Sequence, residues 1–116
     1  MKLLIAGSRS INDFKLIETN VFRLFSLEEI DEIVHGGARG VDKLAGVFAV
    51  DNKIKVKIFY ADWNKYGKSA GMLRNKEMAD YADFLLAFWN GVSKGTKNMI
   101  YEMDKVLRKP IEVVKV

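Results

Sequence analysis

Ile33-Val34-His35-Gly36-Gly37-Ala38-Arg39-Gly40-Val41-Asp42 is the stretch that decides the fold. A short apolar run enters a Gly-rich turn. Val41, Leu44, Ala45, Phe48 and Ala49 then follow at i, i+3, i+4, i+7 and i+8, the spacing of an amphipathic helix. The unit reads as strand, tight turn, helix. Glycines at 36, 37 and 40 let backbone approach a ligand where side chains would interfere. A helix start offers free N–H groups and the positive end of a dipole, and Arg39 adds a planar cation that can grip a phosphate at two points. The turn therefore reads either as an anion cradle or as a plain strand-to-helix connection with a solvated Arg.

The same unit recurs outward from this stretch. Leu3-Leu4-Ile5-Ala6 is a buried-strand run, and Asn12-Asp13 can cap a helix carrying Phe14, Ile17, Val21, Leu24 and Phe25 on one face. Val56 to Tyr60 is a third strand of β-branched and aromatic residues, and Ala61 to Gly71 a long, decorated loop. A helix is expected from about Met72 to Tyr81. Phe84 to Trp89 is continuously apolar, as a central parallel strand covered on both faces should be. Asn90 to Gly95 is a second Gly-rich turn. A helix carrying Thr96, Ile100, Met103 and Leu107 follows, Lys109-Pro110 ends it, and Ile111 to Val114 is the last strand. The order βαβαβαβαβ predicts an α/β fold: one Rossmann-like domain over residues 1–116, with a parallel sheet of about five strands and helices on both faces.

Composition narrows the classes. With 49% hydrophobic and 29% charged residues the chain is an ordinary globule, with no apolar run long enough to span a bilayer. The apolar N-terminus lacks the length and cleavage site of a signal peptide and reads as a first strand. The absence of cysteine excludes disulfides and thiolate metal sites, and one histidine without clustered carboxylates argues against a resident metal. No cofactor is called for. These features fit a cytoplasmic protein with no membrane partner. A net charge of +4 and a pI near 9.3 favour anionic partners, but the basic residues are scattered.

In an open parallel sheet, ligands bind beyond the carboxyl ends of the strands. Four polar turns are expected there: Gly7-Ser8-Arg9-Ser10, Gly36 to Gly40, Ala61 to Lys68, and Asn90 to Thr96. Ser8 and Arg9 can donate to a phosphate or merely finish a turn. Asp42 can bond a ribose hydroxyl or cap the following helix. Trp63 and Tyr66 can stack on a base or anchor their own loop. Gly91, Ser93, Gly95 and Thr96 put a hydroxyl and open amides at a helix start. His35 reads as a satisfied strand-end histidine, and Met72, Met78, Met99 and Met103 as core filler.

Gly7-Ser8-Arg9, His35 to Asp42, Ala61-Asp62-Trp63 with Tyr66-Gly67-Lys68, Ala70-Gly71 with Arg74-Asn75 and Met78, and Phe88-Trp89 with Gly91, Ser93, Gly95 and Thr96, in this order, resemble the YspA-like (YpsA-related) family of the SLOG superfamily. That superfamily also holds DNA-processing protein A and the LOG-type proteins. The resemblance runs from about Leu3 to Val114. It implies a Rossmann-like fold and a site for a nucleotide or a nucleotide derivative such as ADP-ribose. LOG-type enzymes cleave the N-glycosidic bond of nucleoside monophosphates, with an Arg on one helix and a Glu from a Gly-Gly-x-Gly-Thr-x-x-Glu turn. Arg74 matches that Arg. Met99 stands where the Glu should be, and a thioether cannot take a carboxylate's part at an oxocarbenium-like centre. Asp42, Asp62 and Glu77 are the replacements by placement. Asp62 is the first choice because it follows the third strand, while Glu77 reads as a helix-surface partner of Arg74.

Three functions follow. The first is a sensor or sequestering protein for a nucleotide-derived small molecule, held by the Gly turns, Arg9, Arg39 and Thr96, with Trp63 or Tyr66 on the base. The second is a phosphoribohydrolase-like enzyme using Arg74 and Asp62. The third is a nucleic-acid-binding protein, disfavoured for want of a basic stripe or recognition helix. LOG-type relatives are often dimers, so the resemblance also implies a homodimer.

Overall fold

Leu3 and Ile5 point to one side of their strand, Leu4 and Ala6 to the other, and all four are buried. A strand with no solvated face must sit inside a sheet with helices on both sides. The computed structural model, which describes residues 1–116, has that architecture. Five parallel strands, β1 (Lys2–Gly7), β2 (Glu32–His35), β3 (Lys55–Ile58), β4 (Phe84–Trp89) and β5 (Ile111–Lys115), form one sheet in the order β3-β2-β1-β4-β5. In register, Gly7 lies beside Phe88, and His35 beside Ile58.

The pleat divides the core in two. On one face, Leu3, Ile5, Ile33, Leu86 and Phe88 pack against Ile17 and Val21 of α1 (Phe14–Leu24) and against Val41, Ala45, Phe48 and Ala49 of α2 (Val41–Asp51). On the other, Leu4, Ala6, Val34, Leu85 and Ala87 meet Met78 and Ala79 of α4 (Ala70–Tyr81) and Met99 of α5 (Lys94–Tyr101). Burying a Leu, Ile or Phe side chain is worth roughly 1.5–3 kcal/mol. The two faces are thus strong enough to hold the turns between them in place. No helix is long and apolar enough to cross a membrane.

Three local expectations are corrected. The third strand stops at Ile58, where its partner β2 stops; Phe59 still donates its N–H to the His35 carbonyl (2.9 Å), and Tyr60 leaves the sheet. The stretch from Ala61 to Gly71 is not an open loop. It holds a one-turn helix, α3 (Trp63–Tyr66), a 3₁₀ turn at Gly67–Ser69, and the start of α4. Asp62 caps α3 by accepting the Lys65 N–H (3.1 Å), and Gly67 ends it at φ +56°. Last, α5 does not run uniformly to Leu107. After Tyr101 it widens into a π-helical turn, Glu102–Val106, where the Leu107 N–H reaches the Glu102 carbonyl.

Candidate functional site

The order in which strands are added reverses at β1: β2 and β3 lie to one side of it, β4 and β5 to the other, so the crevice beyond the carboxyl ends of β1 and β4 is the switch point where open α/β sheets bind ligands. A cavity of about 400 Å³ lies there. Gly7, Ser8, Arg9 and Ser10 line it from the end of β1; Ala38 and Asp42 from the β2–α2 turn; Asn90, Ser93, Gly95 and Thr96 from the β4–α5 turn; Arg74, Asn75, Met78 and Met99 from the helices behind. Three of the four expected turns therefore converge. The fourth contributes elsewhere: Tyr60, Ala61 and Trp63 line a neighbouring cavity of about 350 Å³ with Gly36, Gly37 and Arg39. Arg9, Ala38 and Arg74 border both cavities.

The turn from His35 to Asp42 is ligated from within. The Asp42 Oδ2 accepts the N–H of Gly36 (3.1 Å) and of Ala38 (3.2 Å), and His35 Nδ1 accepts the N–H of Gly37 (3.0 Å). Amides that would cradle an anion at Gly36, Gly37 and Ala38 already have acceptors in the protein. Asp42 therefore braces the turn rather than capping α2, whose N-cap Gly40 receives no side-chain bond, and it also borders the cavity. Burial is the main influence on Asp42 and raises its pKa, against the lowering effects of the two amides, His35 and Arg74. Burial likewise lowers the pKa of His35, with the neighbouring Asp42 opposing the shift. Gly40 supplies the bend. Its φ is +71°, and a Cβ there would fall 2.5 Å from the carbonyl oxygens of Ser8 and Arg9.

Arg74 reaches from α4 across the crevice. Its Nη1 donates to the Gly36 carbonyl (2.6 Å) and more distantly to that of Phe59 (3.4 Å), and its Nε donates to Asn75 Oδ1 (3.1 Å). The Nη2 has no partner in the protein and remains for a ligand. Asn75 is spent on structure: its Nδ2 bonds Asn98 Oδ1 (2.8 Å) and the Gly95 carbonyl (3.3 Å), tying α4 to α5. Burial lowers the pKa of Arg74, with Asp42 opposing that shift and Arg9 adding to it. Arg9, Arg39 and Arg74 take part in no ion pair. The crevice carries two guanidiniums, Arg9 and Arg74, against one carboxylate, Asp42.

The β4 turn holds the free donors. Asn90 Oδ1 accepts the N–H groups of Val92 and Ser93 (2.9 Å each), which folds the turn. Ser93 caps α5: its Oγ lies 3.1 Å from Thr96 Oγ1 and accepts the Thr96 N–H. The N–H groups of Lys94 and Gly95, in the first turn of α5, have no acceptor. A Cβ on Gly95 would meet nothing within 4 Å, so packing does not require glycine there. Opposite, Ser8 is 2% exposed and its Oγ is the one buried side-chain polar atom without a hydrogen-bond partner. A buried hydroxyl left unpaired costs about 1–3 kcal/mol, so an unmatched donor bordering a cavity points to a group that enters it.

Not every expected residue arrives. Asp62 is an exposed helix cap and lines neither cavity, because α3 turns its carboxylate to its own amides. Tyr66 lies under the Lys65 ammonium, and Gly91 sits in an exposed bend at φ +83°; both are outside the cavities. Arg39 and Trp63 border the second of these cavities and not the first. Met99 is buried and lines the first cavity, so it puts a thioether there and no carboxylate. Glu77 is exposed on α4 and lines neither cavity. Ser10, Ala38 and Asn90 lie in the expected turns and also line the cavities, although the sequence assigns them no ligand role, and Tyr60, expected in the third strand, lines the second cavity. Tyr60 was hidden by its place at the end of an apolar strand run, and only the length of β2 shows that the strand stops short of it. No three His or carboxylate side chains come together as a metal site requires.

Comparison with known proteins supplies context for this crevice. A protein of Mycobacterium phage D29 described as Gene 61 protein is 42% identical over 79 residues, covering 63% of this chain. The matched stretch spans 63% of that protein's own length. No solved structure matches the chain. The model of the YspA, cpYpsA-related SLOG family matches residues 1–66, from β1 through α3. That segment includes Gly7 to Arg9, the His35–Asp42 turn and Trp63, while Arg74 and the α5 turn lie beyond it. By this match over more than half its length, and with the five-stranded parallel sheet that carries the matched turns, the chain belongs to the YspA, cpYpsA-related SLOG family.

Proposed function

We propose that the protein binds a nucleotide or nucleotide derivative, with a phosphate held in the crevice between β1 and β4, and acts as a sensor or sequestering protein. The unpartnered Ser8 Oγ carries this reading. It is a buried donor in a cavity with two guanidiniums, two free amides at a helix N-terminus and the hydroxyls of Ser10, Ser93 and Thr96. A phosphate group has several acceptor oxygens and a charge opposite to that of the two guanidiniums, so it suits donors of this kind better than a neutral ligand does. Family membership supports a nucleotide-related role, and an ADP-ribose-like signal is the finer form of the proposal. Titration calorimetry against inorganic phosphate, ribose 5-phosphate, nucleoside mono- and diphosphates and ADP-ribose tests it. Binding of at least one phosphorylated compound, abolished or weakened by Ser8→Ala, is the expected result. Failure of every compound at millimolar concentration would sink the reading.

A cleavage reading has one observation in its favour: Asp42 puts a carboxylate beside Arg74 in the cavity. With Asp62 outside and a thioether at Met99, Asp42 is the group on which N-glycosidic chemistry would depend. Chromatography of a nucleoside monophosphate incubated with the protein detects free base. Release that persists undiminished in Asp42→Asn would remove that residue from such a mechanism.

A further inference from the structure

The second cavity has a different chemistry from the first. No carboxylate lines it; its walls carry Arg9, Arg39 and Arg74, the backbone of Gly36 to Ala38, and two aromatic side chains, Tyr60 and Trp63. Both aromatics are far from buried, at 73% and 53% exposed, although each rests on a glycine. The Tyr60 ring lies over Gly37, where a Cβ would come within 2.6 Å of its Cε1, and the Trp63 ring edge lies over Gly71. One side of each ring is therefore seated and the remainder is left to solvent. Two seated, half-open aromatic surfaces beside unpaired guanidiniums make a platform for a flat, electron-rich ring joined to an anion. Neither ring packs into either core cluster, so the fold does not account for them.

The two cavities meet along Arg9, Ala38 and Arg74. A phosphate bonded near Ser8 and the start of α5 thus places the rest of its molecule at that ridge, facing Tyr60 and Trp63. We propose that the Tyr60–Trp63 cavity is a base-stacking subsite, so that the ligand is a base-bearing nucleoside phosphate and not a sugar phosphate alone. This rests on the phosphate reading of the first cavity. Stacking tolerates any base because every base presents a π face, so the subsite selects for a base more than among bases.

Ribose 5-phosphate and the four nucleoside monophosphates AMP, GMP, CMP and UMP share sugar and phosphate and differ in the base, which makes them the probes. Calorimetry on the intact protein should find the best monophosphate bound at least about fivefold tighter than ribose 5-phosphate, the low end of one stacked base. Tyr60→Ala combined with Trp63→Ala should cut that preference to within about threefold while leaving ribose 5-phosphate affinity unchanged. Both side chains are exposed, and circular dichroism of the double variant verifies that it folds. Equal affinity for ribose 5-phosphate and every monophosphate overturns the subsite and leaves the phosphate site standing. A preference that survives the double variant also overturns it. If neither class binds, the phosphate reading itself falls.

Discussion

Asp42 and Arg74 hold Gly36 from its two ends: the Asp42 carboxylate accepts the Gly36 N–H at 3.1 Å, and the Arg74 guanidinium donates to the Gly36 carbonyl at 2.6 Å. A helix on each face of the sheet thus clamps one residue of the β2 turn. The clamp explains why a Gly-rich turn that looks like an anion cradle keeps its own amides occupied. It also explains why the free donors are on α5.

Removing the Asp42 end of the clamp should cost stability. Asp42→Ala leaves the buried amide of Gly36 and the half-buried one of Ala38 without an acceptor, at about 1–3 kcal/mol each. Asp42→Asn can present an amide oxygen to the same two donors and removes a charge whose burial is unfavourable. Urea denaturation should show a loss of about 2–5 kcal/mol for the alanine variant and less than half of that for asparagine. Equal losses would mean that the charge, and not the acceptor, holds the turn.

The Arg74 end is tested through binding. A lysine has no planar fork, so Arg74→Lys cannot hold the Gly36 carbonyl and a ligand oxygen together. Affinity for a phosphorylated ligand should fall by about tenfold or more, one charge-assisted hydrogen bond, as read by calorimetry. Full affinity in the lysine variant would show that Arg74 only braces the turn.

His35 gives a pH dependence of definite sign. Burial lowers its pKa below the ordinary 6.5, so the unfolded chain binds a proton more readily than the folded one. Its contribution is complete above about 6.5 and is lost as pH falls from there through the folded pKa. Asp42 acts in the opposite sense, since its raised pKa makes the folded state hold its proton longer. Comparison with His35→Gln isolates the histidine, because glutamine can still accept the Gly37 N–H and does not titrate. The stability difference between the two proteins should narrow as pH is lowered from 7 to 5. As the chain has one histidine, its proton NMR titration is a direct check and should give a midpoint below 6.5.

Two glycines separate fold from function. Gly40→Ala forces a left-handed residue and a Cβ 2.5 Å from two carbonyl oxygens, and should cost about 1–3 kcal/mol or more. Gly95→Ala has open space around it and lies in a helix, where alanine is favoured by up to about 1 kcal/mol. The Gly95 variant should therefore be as stable as wild type or more so in thermal melts, yet bind phosphorylated ligands more weakly because its methyl group enters the space the phosphate needs. Unchanged affinity would mean that the first turn of α5 does not approach the ligand.

The sheet and its helices were legible because the signals that define them are local and repeated. Phe84 to Trp89 is apolar throughout, and Val41 to Ala49 keeps helical spacing, so the alternation of strands and helices and the covering of both sheet faces follow. Gathering of the β1, β2 and β4 turns in one crevice was legible too, since topology puts the ends of parallel strands on one edge. What stayed hidden depends on side-chain reach. Nothing local says that Asp42 bends back four residues to the Ala38 amide, or that Arg74 crosses to a carbonyl 38 residues earlier in the chain. Asp62 misled because it follows a strand; the Asp62–Gly67 pair is a helix start and stop with four residues between them, and so short a helix carries too few residues for a periodic signal. Tyr60 was masked by a strand run that ends only because its partner ends.

The account stands most directly on where an anion settles, and amide chemical shifts report that residue by residue. ¹⁵N–¹H spectra recorded through a titration with a nucleoside monophosphate should show the largest changes at Arg9, Lys94 and Gly95. Gly36, Gly37 and Ala38, whose N–H groups are bonded to Asp42 and His35, should move less. Changes concentrated at Gly36 to Ala38 with none at Lys94 and Gly95, or no changes at millimolar ligand, would contradict it.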